Sequence, residues 1–140
     1  MSDLLSNQQP LRALVVDDDL DSVILLTTLL EIYGINVTSA LCANQAMQKL
    51  RSRPDIVIAD LAMPFVDGYQ LIRQIRALPN EEGGNIPAIA ISAWIATEAQ
   101  EHALKSGFQK FLPKPYHPNE LVKIISQLTG WKALEAEVAA

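Results

Sequence analysis

The sequence predicts an α/β fold, a doubly wound, five-stranded parallel sheet with helices on both faces. Three observations predict it. Apolar runs alternate with stripes of helical spacing five times along the chain, as successive β-then-α units require. The runs Ala13-Leu14-Val15-Val16 and Ile56-Val57-Ile58-Ala59 are continuously apolar, as strands buried on both faces are. Each then ends in carboxylates, Asp17-Asp18-Asp19 and Asp60, so polar chemistry is gathered at the strand carboxyl ends.

The elements follow in order. Residues 1–10 are polar, close on Pro10 and read as a flexible leader, with one domain over 11–129 and a C-terminal tail over 130–140. The first strand covers Leu11–Val16, and a helix from Asp21 to Tyr33 stops at Gly34. Asp19 and Asp21 suit the start of that helix, where the dipole favours anions. The second strand, Ile35–Ala40, is followed by a short helix with Ala43, Ala46, Met47 and Leu50 on one face. The third strand is Asp55–Asp60. Asp67, with Gln70 three residues on, forms a capping box for a helix with the stripe Leu71, Ile72, Ile75 and Leu78.

Pro79–Asn85 reads as a surface loop, and Ile86–Ser92 as the fourth strand, with Pro87 tolerated near its start. Thr97 is expected to cap the fourth helix, which ends at Gly107 and offers Ala99, Ala103 and Leu104 to the core. Phe108–Leu112 is the fifth strand. Pro118 opens the last helix, with Leu121, Ile124, Ile125 and Leu128 facing inward. Strands one, three and four are apolar nearly throughout and suit the sheet centre. Strand two alternates and strand five carries Gln109 and Lys110, which suits the edges. These constraints allow the strand order 2-1-3-4-5. Its switch point lies between strands one and three, where ligands of open α/β sheets bind.

Composition narrows the function. The 140 residues are 49% hydrophobic and 19% charged, with 11 basic and 16 acidic side chains giving a formal charge of −5. That is a globular composition with no basic run, so neither nucleic acid nor an anionic membrane is the expected partner. No apolar stretch is long enough to span a bilayer, and the first residues lack a secretory signal. Cys42 stands alone as a small, half-buried residue; it excludes an internal disulfide and fits a reducing cytoplasm.

The carboxylates are the chemical signal. Like charges about 4 Å apart repel by roughly 4 kcal/mol at an effective dielectric near 20, so a cluster of Asp17, Asp18 and Asp60 calls for a cation. Ser92 ends the fourth strand, and Lys114 follows the fifth, within Pro113-Lys114-Pro115. Three carboxylates, a hydroxyl and an ammonium suit Mg²⁺ and a phosphoryl group, with one carboxylate as nucleophile.

These residues resemble the receiver domain of response regulators, the phosphoaspartate module of two-component signalling. The resemblance runs from Leu11 to Thr129. It rests on Val15-Val16-Asp17-Asp18, on Asp60 with Met63-Pro64 and Asp67-Gly68, on Ser92-Ala93 and on Lys114-Pro115. It implies a flavodoxin-like (βα)5 sandwich of the chemotaxis-regulator kind. Asp60 is then the phosphoacceptor, and Asp18, Asp60 and the carbonyl of Ala62 hold Mg²⁺, with Asp17 acting mainly through water. Lys114 pairs with Asp60 and later with the phosphoryl group. Ser92 moves toward that group, and Phe111, the switch aromatic without a tyrosine hydroxyl, follows by steric coupling. The Lys114-Pro115 bond is expected to be cis.

The partners implied are a sensor histidine kinase or histidine phosphotransfer protein and a downstream protein target, with a homodimer open. No enzymatic turnover of an outside substrate is expected. The absence of an output domain after Thr129 implies output by protein contact. Ala62 and Trp94, the latter able to shield the site, suggest slow self-dephosphorylation. The thin apolar face of the fourth helix marks it, with strand five and the last helix, as the surface that reports phosphorylation.

Other classes fit less well. An aspartyl-nucleophile phosphatase of the haloacid-dehalogenase type wants a second acid where Ala62 stands, and a cap domain. A phosphate-independent receiver-like binding module predicts a lost ligand, yet all five residues are present. A flavodoxin-like cofactor binder needs a phosphate loop where Asp17-Asp18-Asp19 would repel one. His102 reads as an exposed helix residue, His117 as a helix-start residue, and Trp131 as a packing residue.

Overall fold

In the computed structural model, which describes residues 9–132, five parallel strands form one sheet in the order β2-β1-β3-β4-β5. They are β1 (Arg12–Val16), β2 (Asn36–Ala40), β3 (Ile56–Asp60), β4 (Ala88–Ser92) and β5 (Lys110–Pro113). The helices are α1 (Leu20–Ile32), α2 (Ala43–Lys49), α3 (Gly68–Arg76), α4 (Thr97–Ser106) and α5 (Pro118–Thr129). The predicted architecture and strand order are those observed. Residues 1–8 of the leader and 133–140 of the tail lie outside the described residues.

Alternation along the strands splits the core in two. Leu14, Val16, Val57, Ala59, Ala88 and Ala90 face α2, α3 and α4, and pack with Leu71, Ile72 and Ile75. Ala13, Val15, Ile56, Ile58, Ile89 and Ile91 face α1 and α5, and pack with Val23, Leu26, Leu30, Leu121 and Ile125. β3 and β4 are buried at every residue, whereas β2 alternates and β5 is exposed at Lys110 and Pro113. The edges are where their polarity places them.

Several helix ends match their sequence signals. Asp19 caps α1, its carboxylate accepting from the Ser22 N–H. Asp67 and Gln70 form the capping box of α3. His117 caps α5 through Nδ1, which accepts from the Asn119 N–H at 3.1 Å. Trp131 packs against the α1–α5 core, as expected.

Four expectations need correction. Thr97 is the first residue of α4 and not its cap; Ala96 precedes it, with no side-chain cap. Gln100, three residues after Thr97 as in a capping box, donates its side-chain amide to the Ile95 carbonyl at 3.3 Å. Leu104 is 49% exposed, leaving Ala103 as the buried residue of α4. Cys42 is exposed, because it occupies the extended position before α2. β5 begins at Lys110, two residues later than expected; the chain before it is held by Gln109, whose N–H donates to the Ala88 carbonyl at 3.0 Å. The Gln109 side-chain carbonyl accepts from the Ala88 N–H at 2.7 Å and from Arg76 at 3.0 Å. Arg76 also donates to the carbonyls of Gly84 and Gly107, tying α3 to both neighbouring loops.

Candidate functional site

Parallel register brings the chemistry to one edge. Val16 pairs with Ala59, so Asp17 and Asp60 emerge side by side from adjacent strands. Ser92 pairs with Pro113, and the Lys114 N–H extends that ladder to the Ser92 carbonyl at 2.8 Å. Lys114 therefore leaves the sheet beside the carboxylates. Its peptide bond to Pro115 is cis, as expected.

One oxygen from each of Asp17, Asp18 and Asp60 lies within 4.8 Å of the others. Asp17 and Asp60 are buried and Asp18 is exposed. Both oxygens of Asp17 are engaged: Oδ1 accepts from the Asp19 N–H at 2.9 Å, and Oδ2 from Lys114 Nζ at 3.1 Å. Asp60 is less well served, with Lys114 Nζ at 3.9 Å. Lys114 thus pairs more closely with Asp17 than with Asp60, a change from the expected order. With Asp17 oriented by a backbone amide, it offers the shorter ion pair.

Burial pushes the Asp60 carboxyl up to about 6, against the pull of Lys114, and the charges of Asp17 and Asp18 push the same way. An under-compensated carboxylate is the result. Three oxygen donors of this kind suit a hard divalent cation, because such ions take carboxylate ligands and keep waters in the remaining positions.

Ser92 is fully buried, and its Oγ accepts from the Trp94 N–H at 2.9 Å. Phe111 is half-buried against the core beneath α2, α3 and α4. Ala62 is half-buried, and its backbone N–H pulls the Asp60 carboxyl weakly downward, against burial. Trp94 has a partner that its position in the sequence did not suggest. It is 47% exposed and its ring stacks on Tyr69, with centroids 6.4 Å apart. Tyr69 in turn stacks on His102 at 3.9 Å and donates its hydroxyl to the Ala99 carbonyl at 3.3 Å.

Gly68 does more than start a helix. A Cβ there would lie 2.5 Å from the Asp60 carbonyl oxygen and 2.8 Å from Leu61 Cα. The Gly68 N–H donates to the Leu61 carbonyl at 3.0 Å, folding the loop after β3 tightly beneath the site. Residues 13–126, most of the chain, match the family of the response regulator receiver domain. The chain belongs to that family. It is a receiver domain of the kind found in two-component systems, and such domains are in general signalling modules and not turnover enzymes.

Relatives of this receiver occur in several settings. It is 44% identical over 115 residues to an uncharacterized 14.6 kDa protein of Leptolyngbya boryana, covering 81% of this chain and 86% of that one. It is 34% identical over 109 residues to the response regulator SaeR of Staphylococcus epidermidis, covering 78% of this chain and 46% of SaeR. The sensor histidine kinase GacS of Pseudomonas protegens matches over 128 residues at 32% identity, covering 90% of this chain and 14% of the kinase. The receiver therefore spans less than half of either of these two larger relatives.

Among solved structures, a Francisella response regulator receiver domain is 31% identical, with a TM-score of 0.77 over 87% of this chain and 98% of that one. The receiver domain of a Pseudomonas aeruginosa sensor histidine kinase, solved with a magnesium ion coordinated in its active site cleft, is 30% identical. It has a TM-score of 0.80 and covers 88% of this chain and all of that one. No helix among the described residues is long and apolar enough to cross a membrane.

Proposed function

We propose that this receiver accepts a phosphoryl group on Asp60 from the phosphohistidine of a sensor kinase or histidine phosphotransfer protein, and thereby switches its contacts with a downstream protein. The observation that carries the reading is the convergence of Asp17, Asp18 and Asp60 within 4.8 Å beside Lys114. Asp18, Asp60 and the carbonyl of Ala62 are the groups that would hold Mg²⁺. Asp17, with both oxygens already engaged, is suited to act through water. Mg²⁺, when bound, supplies charge neutralisation for the three equatorial phosphoryl oxygens.

The chain's own residues do the rest. An Asp60 oxygen attacks phosphorus while the phosphorus–nitrogen bond of the phosphohistidine breaks, and the freed imidazole takes up a proton. Asp60 becomes an acyl phosphate. Lys114, on its flexible stem, turns from Asp17 toward the added phosphoryl oxygens, for which an ammonium is a suitable partner. Ser92 gives up its bond from the Trp94 N–H and donates to a phosphoryl oxygen, and Phe111 fills the space it leaves. Water attack on phosphorus later restores the carboxylate. Ala62 has no polar side chain to position that water and Trp94 is held on Tyr69, which supports slow self-dephosphorylation. Output is by protein contact, with cytoplasmic placement as part of the same reading.

The test is intact-protein mass after incubation with acetyl phosphate, with and without Mg²⁺, beside Asp60→Asn. A Mg²⁺-dependent phosphoryl adduct absent from the variant is expected. No adduct in a protein that demonstrably binds Mg²⁺ would replace this reading with a phosphate-independent binding module.

A further inference from the structure

The sheet face covered by α1 and α5 is incompletely filled. Between the two helices lies a crevice of about 530 Å³, within the range of small-molecule sites. Its floor is strand: Val15, Ile58 and Ile91. Its walls are Leu25 and Leu29 on one side and Tyr116 on the other. At the strand carboxyl ends it is lined by Asp17, Asp60 and Lys114. Two buried carboxylates against one ammonium leave that end with a net negative charge, and Asp60 has its nearest cation 3.9 Å away.

An apolar hollow is poorly hydrated, so an apolar body gains by entering it. An anionic head would meet two carboxylates, and a neutral head would leave Asp60 without a close partner. A cationic head supplies the missing partner. We infer that the crevice binds a small amphiphilic amine, with its apolar body between Leu25, Leu29 and Tyr116 and its ammonium on Asp60 and Asp17. The ligand and Mg²⁺ share these carboxylates and exclude each other. Such an amine acts as an antagonist of metal loading, and that antagonism alone rests on the phosphoacceptor reading.

The inference is tested by titrating the full chain, without Mg²⁺, with 4-phenylbutylamine, 4-phenylbutanol and 4-phenylbutyrate, following backbone amides by NMR. The amine is expected to bind about tenfold more tightly than the alcohol, the carboxylate more weakly still, and the shifts to centre on Leu25, Leu29 and Tyr116. Ala93→Phe, at an exposed position on the crevice wall, and Leu25→Lys, at an exposed mouth position, are each expected to weaken the amine about tenfold. Thermal melts establish that both variants fold.

Equal affinity for the three probes, shifts centred elsewhere, or indifference to both variants would overturn the inference. So would amine binding that saturating Mg²⁺ leaves unchanged, in a protein that binds the metal. Mg²⁺ is titrated separately. A protein that binds the amine as expected but no Mg²⁺ keeps the crevice and loses the metal reading. One that binds Mg²⁺ and no amine loses the crevice.

Discussion

Replacing Asp60 by asparagine is expected to stabilise the metal-free protein at neutral pH. The Asp60 carboxyl titrates at about 6 in the folded chain against 3.8 unperturbed, chiefly because it is buried. At about 1.36 kcal/mol per pKa unit, the ionised group at pH 7 costs the folded state about 3 kcal/mol. Solvent screening on the open side of the site trims this to about 2 kcal/mol. The direction is set by linkage. Between pH 3.8 and 6 the folded state binds more protons than the unfolded one, so this carboxyl lowers stability as pH rises through that window. Below the window both states are protonated and the cost vanishes; above it the cost is constant. The asparagine side chain keeps the shape and removes the charge.

Denaturant melts in EDTA should therefore show D60N ahead by about 2 kcal/mol at pH 7, and near parity at pH 4. Saturating Mg²⁺ should narrow or reverse the gap by stabilising the native carboxylate site. A variant no more stable than the parent at pH 7, or an advantage that grows toward pH 4, would refute the view that Asp60 is under-compensated.

Three further substitutions test the scaffold around the site. Gly68→Ala forces a methyl to within 2.5 Å of the Asp60 carbonyl oxygen and should cost about 1–3 kcal/mol by thermal melt, with weakened Mg²⁺ binding as the loop shifts. Phe65 sits at φ 68° with its side chain fully exposed, so Phe65→Asn should stabilise by about 1 kcal/mol in a denaturant titration; a loss would reveal a contact that exposure hides. Leu30, fully buried on the inner face of α1, should cost about 2–5 kcal/mol when changed to alanine, measured as a lower urea midpoint.

The sheet was legible because its signal is one-dimensional. An apolar run in β3 or β4 reports burial on both faces without reference to any partner, and the alternation of β2 reports an edge. The carboxylate site was legible for a related reason: in a parallel sheet, residues at strand ends converge whatever the loops do. What stayed hidden depends on side chains meeting across the fold. Nothing in the spacing of Gln109 announces that its side-chain carbonyl accepts from the Ala88 N–H. Leu104 follows Ala103 directly, about a quarter-turn round the helix, and falls on the outer face, because α4 touches the core along a strip one small residue wide. The preference of Lys114 for Asp17 over Asp60 turns on 3.1 Å against 3.9 Å, a difference no pattern carries.

That narrow strip changes how α4 is held. With Ala103 its buried residue, α4 has little hydrophobic anchorage, and other contacts stand in. His102 stacks on Tyr69, the Tyr69 hydroxyl reaches the Ala99 carbonyl, Arg73 donates to Ser106 Oγ at 3.2 Å, and Arg76 donates to the Gly107 carbonyl. Every one of these comes from α3, which begins at Gly68 against the Asp60 carbonyl. Trp94, whose N–H occupies the Ser92 hydroxyl, joins the same stack through Tyr69. Direct contacts therefore run from the backbone of Asp60 and from Ser92 to one face of α4. Each is worth about 1 kcal/mol. A helix held by several such contacts can shift by exchanging them singly, whereas one seated by large apolar side chains would have to open a cavity first. Phe111, lacking a hydroxyl, has no hydrogen bond of its own to exchange, so in this chain the polar part of any coupling falls to the Ser92–Trp94 bond and the α3 contacts.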